Sequence, residues 1–81
     1  MYILYIEQGC PWGNKVMAFM DANGITPELR DRDTGNHEAE LIKRGGKRQT
    51  PYLVDIHNGV EMYESADIIA YLKKQLGAFN E

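Results

Sequence analysis

Cysteine is nearly absent from this sequence, with Cys10 the single example in 81 residues. No internal disulfide can form, which excludes a small secreted scaffold stapled by bridges, and a lone free thiol is most easily kept reduced in a cytoplasmic setting. Long apolar runs are also missing. No stretch approaches the roughly 20 apolar residues that cross a bilayer, and no basic segment precedes the short apolar run of MYILYIEQG, so neither membrane insertion nor export is expected. Positive charge is scarce: the net charge is −3, and the one basic cluster, Lys43, Arg44, Lys47 and Arg48, has no aromatic residue within it. That argues against nucleic acid as a partner and leaves only local anion binding. Repeats, low-complexity tracts and linkers are lacking too. What is present is an ordinary globular composition, 43% apolar and 26% charged, in a length that holds one domain.

Tyr2 to Ile6 are all apolar or aromatic, the composition of a central strand buried on both faces. The turn Gln8-Gly9-Cys10 leads to Pro11, which is tolerated at the first helical position because its missing N–H would be unpaired there. A helix is therefore expected directly after Cys10, with Trp12, Val16, Phe19, Met20 and Asn23 on its inward face and Gly24 as its stop. The charged segment Glu28 to Asp33 fits a strand only at a sheet edge, where charge deters unwanted pairing. Thr34 or Asn36 can cap a short helix through Glu38, Leu41 and Ile42, ended by Gly45 and Gly46, with acids in its first turn and Lys43 and Arg44 in its last. Pro51 to Ile56 and Val60 to Tyr63 flank Asn58-Gly59, whose tolerance of positive φ predicts an antiparallel hairpin. A last helix is expected from an N-cap at Ser65 through Ile68, Ile69, Leu72 and Leu76 to a stop at Gly77. The order is βαβαββα, an α/β fold with a mixed sheet.

A cysteine at a helix start faces unpaired backbone N–H groups that favour the thiolate, so Cys10 is the candidate nucleophile. Its place between Gly9 and Pro11, in a turn, sets it apart from the usual buried cysteine. His37 and His57 are isolated, form no metal-binding spacing with it, and read as surface residues.

Cys10-Pro11-Trp12-Gly13 together with Thr50-Pro51 resembles the active-site pair of glutaredoxins, and the resemblance in element order runs over residues 1 to 77. It implies a thioredoxin-like (glutaredoxin-type) fold with a four-stranded mixed sheet flanked by helices, a domain over residues 1–77 and a tail over 78–81. It further implies a cis Thr50–Pro51 bond, Thr50 backbone pairing with the cysteinyl amide of glutathione, and Arg48 pairing with its glycyl carboxylate. Tyr63-Glu64-Ser65 is similar to the Glu-Ser motif of glutathione transferase N-terminal domains, in which the acid meets the γ-glutamyl amino group and the serine meets its carboxylate. The resemblance thus implies a glutathione site made of Cys10, Trp12, Arg48, Thr50, Pro51, Glu64 and Ser65.

Two residues depart from that pattern. Gly13 stands where a resolving cysteine is usual, which leaves a monothiol route: Cys10 attacks the glutathionyl sulfur of a mixed disulfide and is released by a second glutathione. Glu7 stands where many glutaredoxins have a lysine, and a carboxylate there works against the thiolate and repels the anionic peptide unless Lys15 or Lys47 offsets it. The expected activity is that of a glutathione-disulfide oxidoreductase, slow if uncompensated, acting as a monomer on small or protein mixed disulfides. An iron-sulfur cluster, which many monothiol glutaredoxins hold with a Cys-Gly-Phe-Ser motif, is the lesser alternative because Pro11 and Trp12 match the dithiol type. A stand-alone transferase N-terminal-like domain and a glutathione-binding module of low activity are the others.

Overall fold

In the computed structural model, residues 1–79 are described, and their elements follow the expected order: β1 (Tyr2–Ile6), α1 (Pro11–Ala22), β2 (Glu28–Asp31), α2 (His37–Gly45), β3 (Tyr52–Asp55), β4 (Val60–Tyr63) and α3 (Ser65–Phe79). The sheet order is β2-β1-β3-β4. β1 is parallel to β2 across the α1 crossover and antiparallel to β3, and β3 is antiparallel to β4, so the sheet is mixed. This is the thioredoxin-like arrangement, with apolar β1 and β3 central and the charged β2 at an edge.

Alternation along β1 explains why every one of its residues is apolar. Leu4 and Ile6 point to one face, where they meet Val16 and Met20 of α1, Leu53 of β3, and Ile68 and Leu72 of α3. Ile3 and Tyr5 point to the other, where α2 covers them with Leu41 beside Tyr52 and Val54. Both faces of β1 and β3 are therefore roofed, as a doubly covered sheet requires. The exposed edge is tied down by polar contacts: Arg30 pairs with Glu28 at 2.6 Å and with Glu40 of α2 at 2.7 Å, and donates to the Tyr5 hydroxyl at 3.0 Å.

Three local expectations are corrected. Trp12 does not join the inward face of α1 but is 60% exposed, because in the first turn it lies beyond the end of the sheet. The β3–β4 connection is a four-residue turn over 56–59 in which Gly59 has φ 67° and Asn58 does not reach positive φ. The Asn58 backbone N–H instead donates to Asp55 Oδ1, a side-chain turn that closes the expected antiparallel β3–β4 hairpin. α3 passes through Gly77 to Phe79, since Gly77 does not adopt the left-handed conformation that ends a helix; residues 80 and 81 of the expected tail lie outside the described residues. Among the described residues no helix is long and apolar enough to cross a membrane.

Candidate functional site

The register puts three chain segments at one end of the sheet. Cys10 follows the last residue of β1, Pro51 precedes β3, and Ser65 follows β4, with Tyr5, Tyr52 and Tyr63 paired across these ends. Between them lies a cleft of about 410 Å³ lined by Trp12, Gln49, Thr50, Pro51, Glu64, Ser65 and Ala66. Five of the seven expected glutathione residues, Trp12, Thr50, Pro51, Glu64 and Ser65, thus line one cavity. Cys10 stands beside it at the start of the helix that carries Trp12, and Arg48 lies outside the lining. Gln49 and Ala66 were not foreseen, because a glutamine and an alanine carry no sequence signal of their own.

Cys10 is the residue preceding α1, in extended conformation (φ −76°, ψ 124°), and its side chain makes no capping hydrogen bond. Its N–H donates to the Glu7 carbonyl at 3.1 Å and its carbonyl accepts from Asn14 N–H at 3.0 Å, which fixes the turn and leaves the half-exposed sulfur free. Pro11 opens the helix, so the N–H groups of Trp12 and Gly13 are the ones without a helical partner. Gly13 is buried, yet a Cβ there would meet Ile6 at 3.6–3.7 Å, ordinary contact, so packing does not demand a glycine.

The opposite wall is built by two short connections, one leading into β3 and one leading out of β4. The Thr50–Pro51 bond is cis, and Thr50 is half-buried with no partner for its backbone N–H or C=O among the described residues. Glu64 has φ 71°, the one non-glycine among the described residues in the left-handed region, a conformation that costs about 1–2 kcal/mol for an L-residue. Its carbonyl accepts from Ile68 N–H at 2.9 Å, so Glu64 and not Ser65 occupies the capping position of α3. Ser65 is instead the first helical residue, buried, with a hydroxyl that makes no hydrogen bond among the described residues. The Glu64 carboxylate accepts from Gln49 Nε2 at 2.9 Å across the cleft. Behind this wall Tyr63 clamps the approach to Thr50: its hydroxyl donates to the Lys47 carbonyl at 2.7 Å and accepts from Lys47 N–H at 3.0 Å. The ring leaves no room for a side chain at Gly45, where a Cβ would come within 2.6 Å of Tyr63 ring carbons.

The charges around Cys10 differ from expectation. Glu7 is offset by neither Lys15 nor Lys47 but by Arg32, which reaches it at 3.1 Å and also holds Asp33 at 3.3 Å and the Arg48 carbonyl at 3.4 Å. Arg32 is buried apart from about a tenth of its side chain, and its N–H extends the β1 pairing through the Ile6 carbonyl. Sequence reasoning missed it because a charged edge strand hides one inward arginine among outward ones. Arg48 is engaged by Glu38 at 3.1 Å and Asp33 at 3.8 Å, and Lys47 lies over the Tyr63 ring at 5.6 Å. His57 is exposed as expected. His37 is half-buried, with Nδ1 2.9 Å from the Asp31 carbonyl and its ring edge-on to Tyr5. Among the described residues no three His, Cys, Asp or Glu side chains converge as a metal site.

This geometry can hold a ligand bearing both an amino and a carboxylate group next to a thiol. Glu64 presents negative charge, and the Ser65 hydroxyl with the free N–H groups at the α3 start presents donors, as helix N-termini do for carboxylates. Thr50, in the bend before β3, offers a backbone N–H and C=O with no partner among the described residues.

Known proteins share this fold. By structure the chain is similar to glutaredoxin 2 from Salmonella typhimurium, solved in complex with glutathione, at a TM-score of 0.80 and 26% identity, covering 95% of this chain and 34% of that one. It is also similar in fold to a glutathione S-transferase from the Antarctic clam Laternula elliptica (TM-score 0.77, 22% identity, 91% of this chain and 34% of that one). A glutaredoxin from Brucella melitensis shares the fold at a TM-score of 0.66 and 23% identity, with 91% of this chain and 78% of that one covered. The chain spans about a third of the length of the first two. No curated protein matches it by sequence. The family model described as Glutathione S-transferase, N-terminal domain matches residues 4–78, nearly the whole sequence, and the chain belongs to that family.

Proposed function

We propose that this protein is a glutathione-dependent thiol-disulfide oxidoreductase that works through Cys10 alone. The observation that carries it is the convergence of Trp12, Thr50, Glu64 and Ser65 on a cleft beside a helix-start cysteine whose sulfur is uncommitted. The Cys10 thiolate attacks the glutathionyl sulfur of a mixed disulfide R–S–S–G, so that a Cys10–glutathione disulfide forms as the R–S bond breaks and R–S⁻ leaves to take up a proton. The thiolate of a second glutathione then attacks the glutathionyl sulfur on Cys10, releasing glutathione disulfide and regenerating the Cys10 thiolate. Gly13 leaves no internal thiol to short-circuit the second step. Glutathione is therefore cosubstrate, the other substrates are small or protein mixed disulfides, and the setting is a reducing, cytoplasmic one in which the chain acts as a monomer.

A glutathione-coupled assay on a small mixed disulfide, run beside Cys10→Ser, tests this. Turnover lost in the variant is the expected result; turnover that survives it, or none in the parent, overturns the proposal. The family match favours one other activity, transfer of glutathione to an electrophile, in which the glutathione thiol itself attacks and Cys10 is dispensable. Conjugation that persists in Cys10→Ser supports that alternative.

A further inference from the structure

Glutathione carries an α-ammonium and an α-carboxylate at its γ-glutamyl end and a second carboxylate at its glycyl end. The cleft treats these ends unequally. Its lining contains one acid, Glu64, and among the described residues no lysine or arginine. The cations nearby are held by the protein's own groups. Arg48 is paired with Glu38 and Asp33, Arg32 with Glu7 and Asp33, and Lys47 lies on the Tyr63 ring. Lys15 is exposed on α1, away from the lining.

A carboxylate arriving at Arg48 would have to replace Glu38. Both partners of that pair are exposed, at 57% and 44% of their side chains, so one carboxylate exchanges for another in similar solvent with little net gain. At the other end Glu64 is met only by the neutral Gln49 amide, and the Ser65 hydroxyl and the first N–H groups of α3 carry no side-chain partner among the described residues; Asp67, the acid of that first turn, forms no ion pair or hydrogen bond there. We infer that the site recognises its thiol by the α-amino-acid end alone, so that it accepts γ-glutamyl thiols with or without a C-terminal carboxylate. This rests on the glutathione-binding function proposed above and narrows its ligand class; Glu38 becomes the residue that sets the indifference.

Calorimetric titration of the full chain with reduced glutathione, its glycyl monoethyl ester, γ-glutamylcysteine and N-acetyl-glutathione tests it. The ester is expected to bind within about threefold of glutathione, γ-glutamylcysteine likewise, and the N-acetyl compound at least about tenfold more weakly. Lys15→Ala and Arg48→Ala should leave these ratios unchanged. Glu38→Gln, which releases Arg48 from its shorter contact, should create a preference for glutathione over the ester of about threefold or more. A tenfold loss on esterification, or N-acetyl-glutathione binding as well as glutathione, overturns the inference while leaving glutathione binding intact. Absence of binding by all four compounds overturns the function beneath it as well.

Discussion

The two ends of the sheet hold their polar groups in opposite ways. At the end away from Cys10, where Tyr2 pairs with Asp55, every buried polar group is spoken for. Asp55 is 1% exposed, and its carboxylate accepts from the Tyr71 hydroxyl at 2.5 Å and from Asn58 Nδ2 at 2.8 Å, tying the β3–β4 turn to α3. Burial alone would raise the pKa of Asp55, but these donors outweigh it and hold the carboxyl below its ordinary range, while Tyr71 is pushed up to about 12 by burial and by its bond to Asp55. A larger cavity of about 600 Å³ opens at that end, yet its one buried charge is already hydrogen-bonded by the chain. At the Cys10 end the reverse holds: the sulfur, the Ser65 hydroxyl and the backbone of Thr50 have no partner among the described residues. Saturated polar groups build the fold at one end, and at the other the unpaired ones are open to solvent and available to the ligand proposed above.

The largest effect should come from emptying the saturated end. Asp55→Ala strands the Tyr71 hydroxyl and the Asn58 amide, and an expected loss of about 2–3 kcal/mol in denaturant unfolding would leave glutathione affinity of the folded fraction unchanged. Acid should find the same weakness. Because the folded-state value for Asp55 is depressed, its stabilisation is complete above the ordinary value of 3.8 and disappears as pH falls through the folded value. Unfolding midpoints between pH 6 and pH 2 should therefore drop steeply only at the acid end, and less so in Asp55→Asn.

Next come the walls of the cleft. Gly45→Ala drives a methyl group into the Tyr63 ring and should cost about 1–3 kcal/mol, with loss of ligand affinity as the Lys47 clamp shifts. Glu64→Gly should separate stability from function: relief of the left-handed backbone, less the entropy of glycine, raises stability by about 0.5–1 kcal/mol while glutathione affinity falls. If that variant binds as well as the parent, the cleft is not the ligand's site. Gly13→Cys is the mildest. Its Cβ fits against Ile6, so stability should change by less than about 1 kcal/mol, and oxidation should yield an internal disulfide with Cys10, visible by mass spectrometry as the loss of two thiols' hydrogens.

The sheet and its order were readable because burial on two faces leaves a plain mark: YILYI and PYLV are apolar at successive positions, whereas Glu28 to Asp31 is charged as an edge must be. The site was readable where a backbone device has its own residue type, as in Pro11 after Cys10 and Pro51 after Thr50. What escaped were properties set by distant partners. Trp12 has helical spacing but no sheet beneath it; Ser65 looks like a cap until Glu64 takes positive φ; and the Glu7 charge is offset by Arg32, 25 positions away in sequence and adjacent across the β1–β2 pairing. Arg48 looked free because its partners, Glu38 and Asp33, come from other elements.

The central claim is that Cys10 is a solitary nucleophile beside a cleft open to glutathione, and intact-mass spectrometry tests it most directly. On mixing with glutathione disulfide the chain should gain one glutathionyl group, mapped to Cys10, and lose it again on addition of reduced glutathione, since no second cysteine can displace it. A chain that remains unmodified at neutral pH, or is modified at the same rate when Glu64 and Ser65 are both replaced by alanine, would contradict the account.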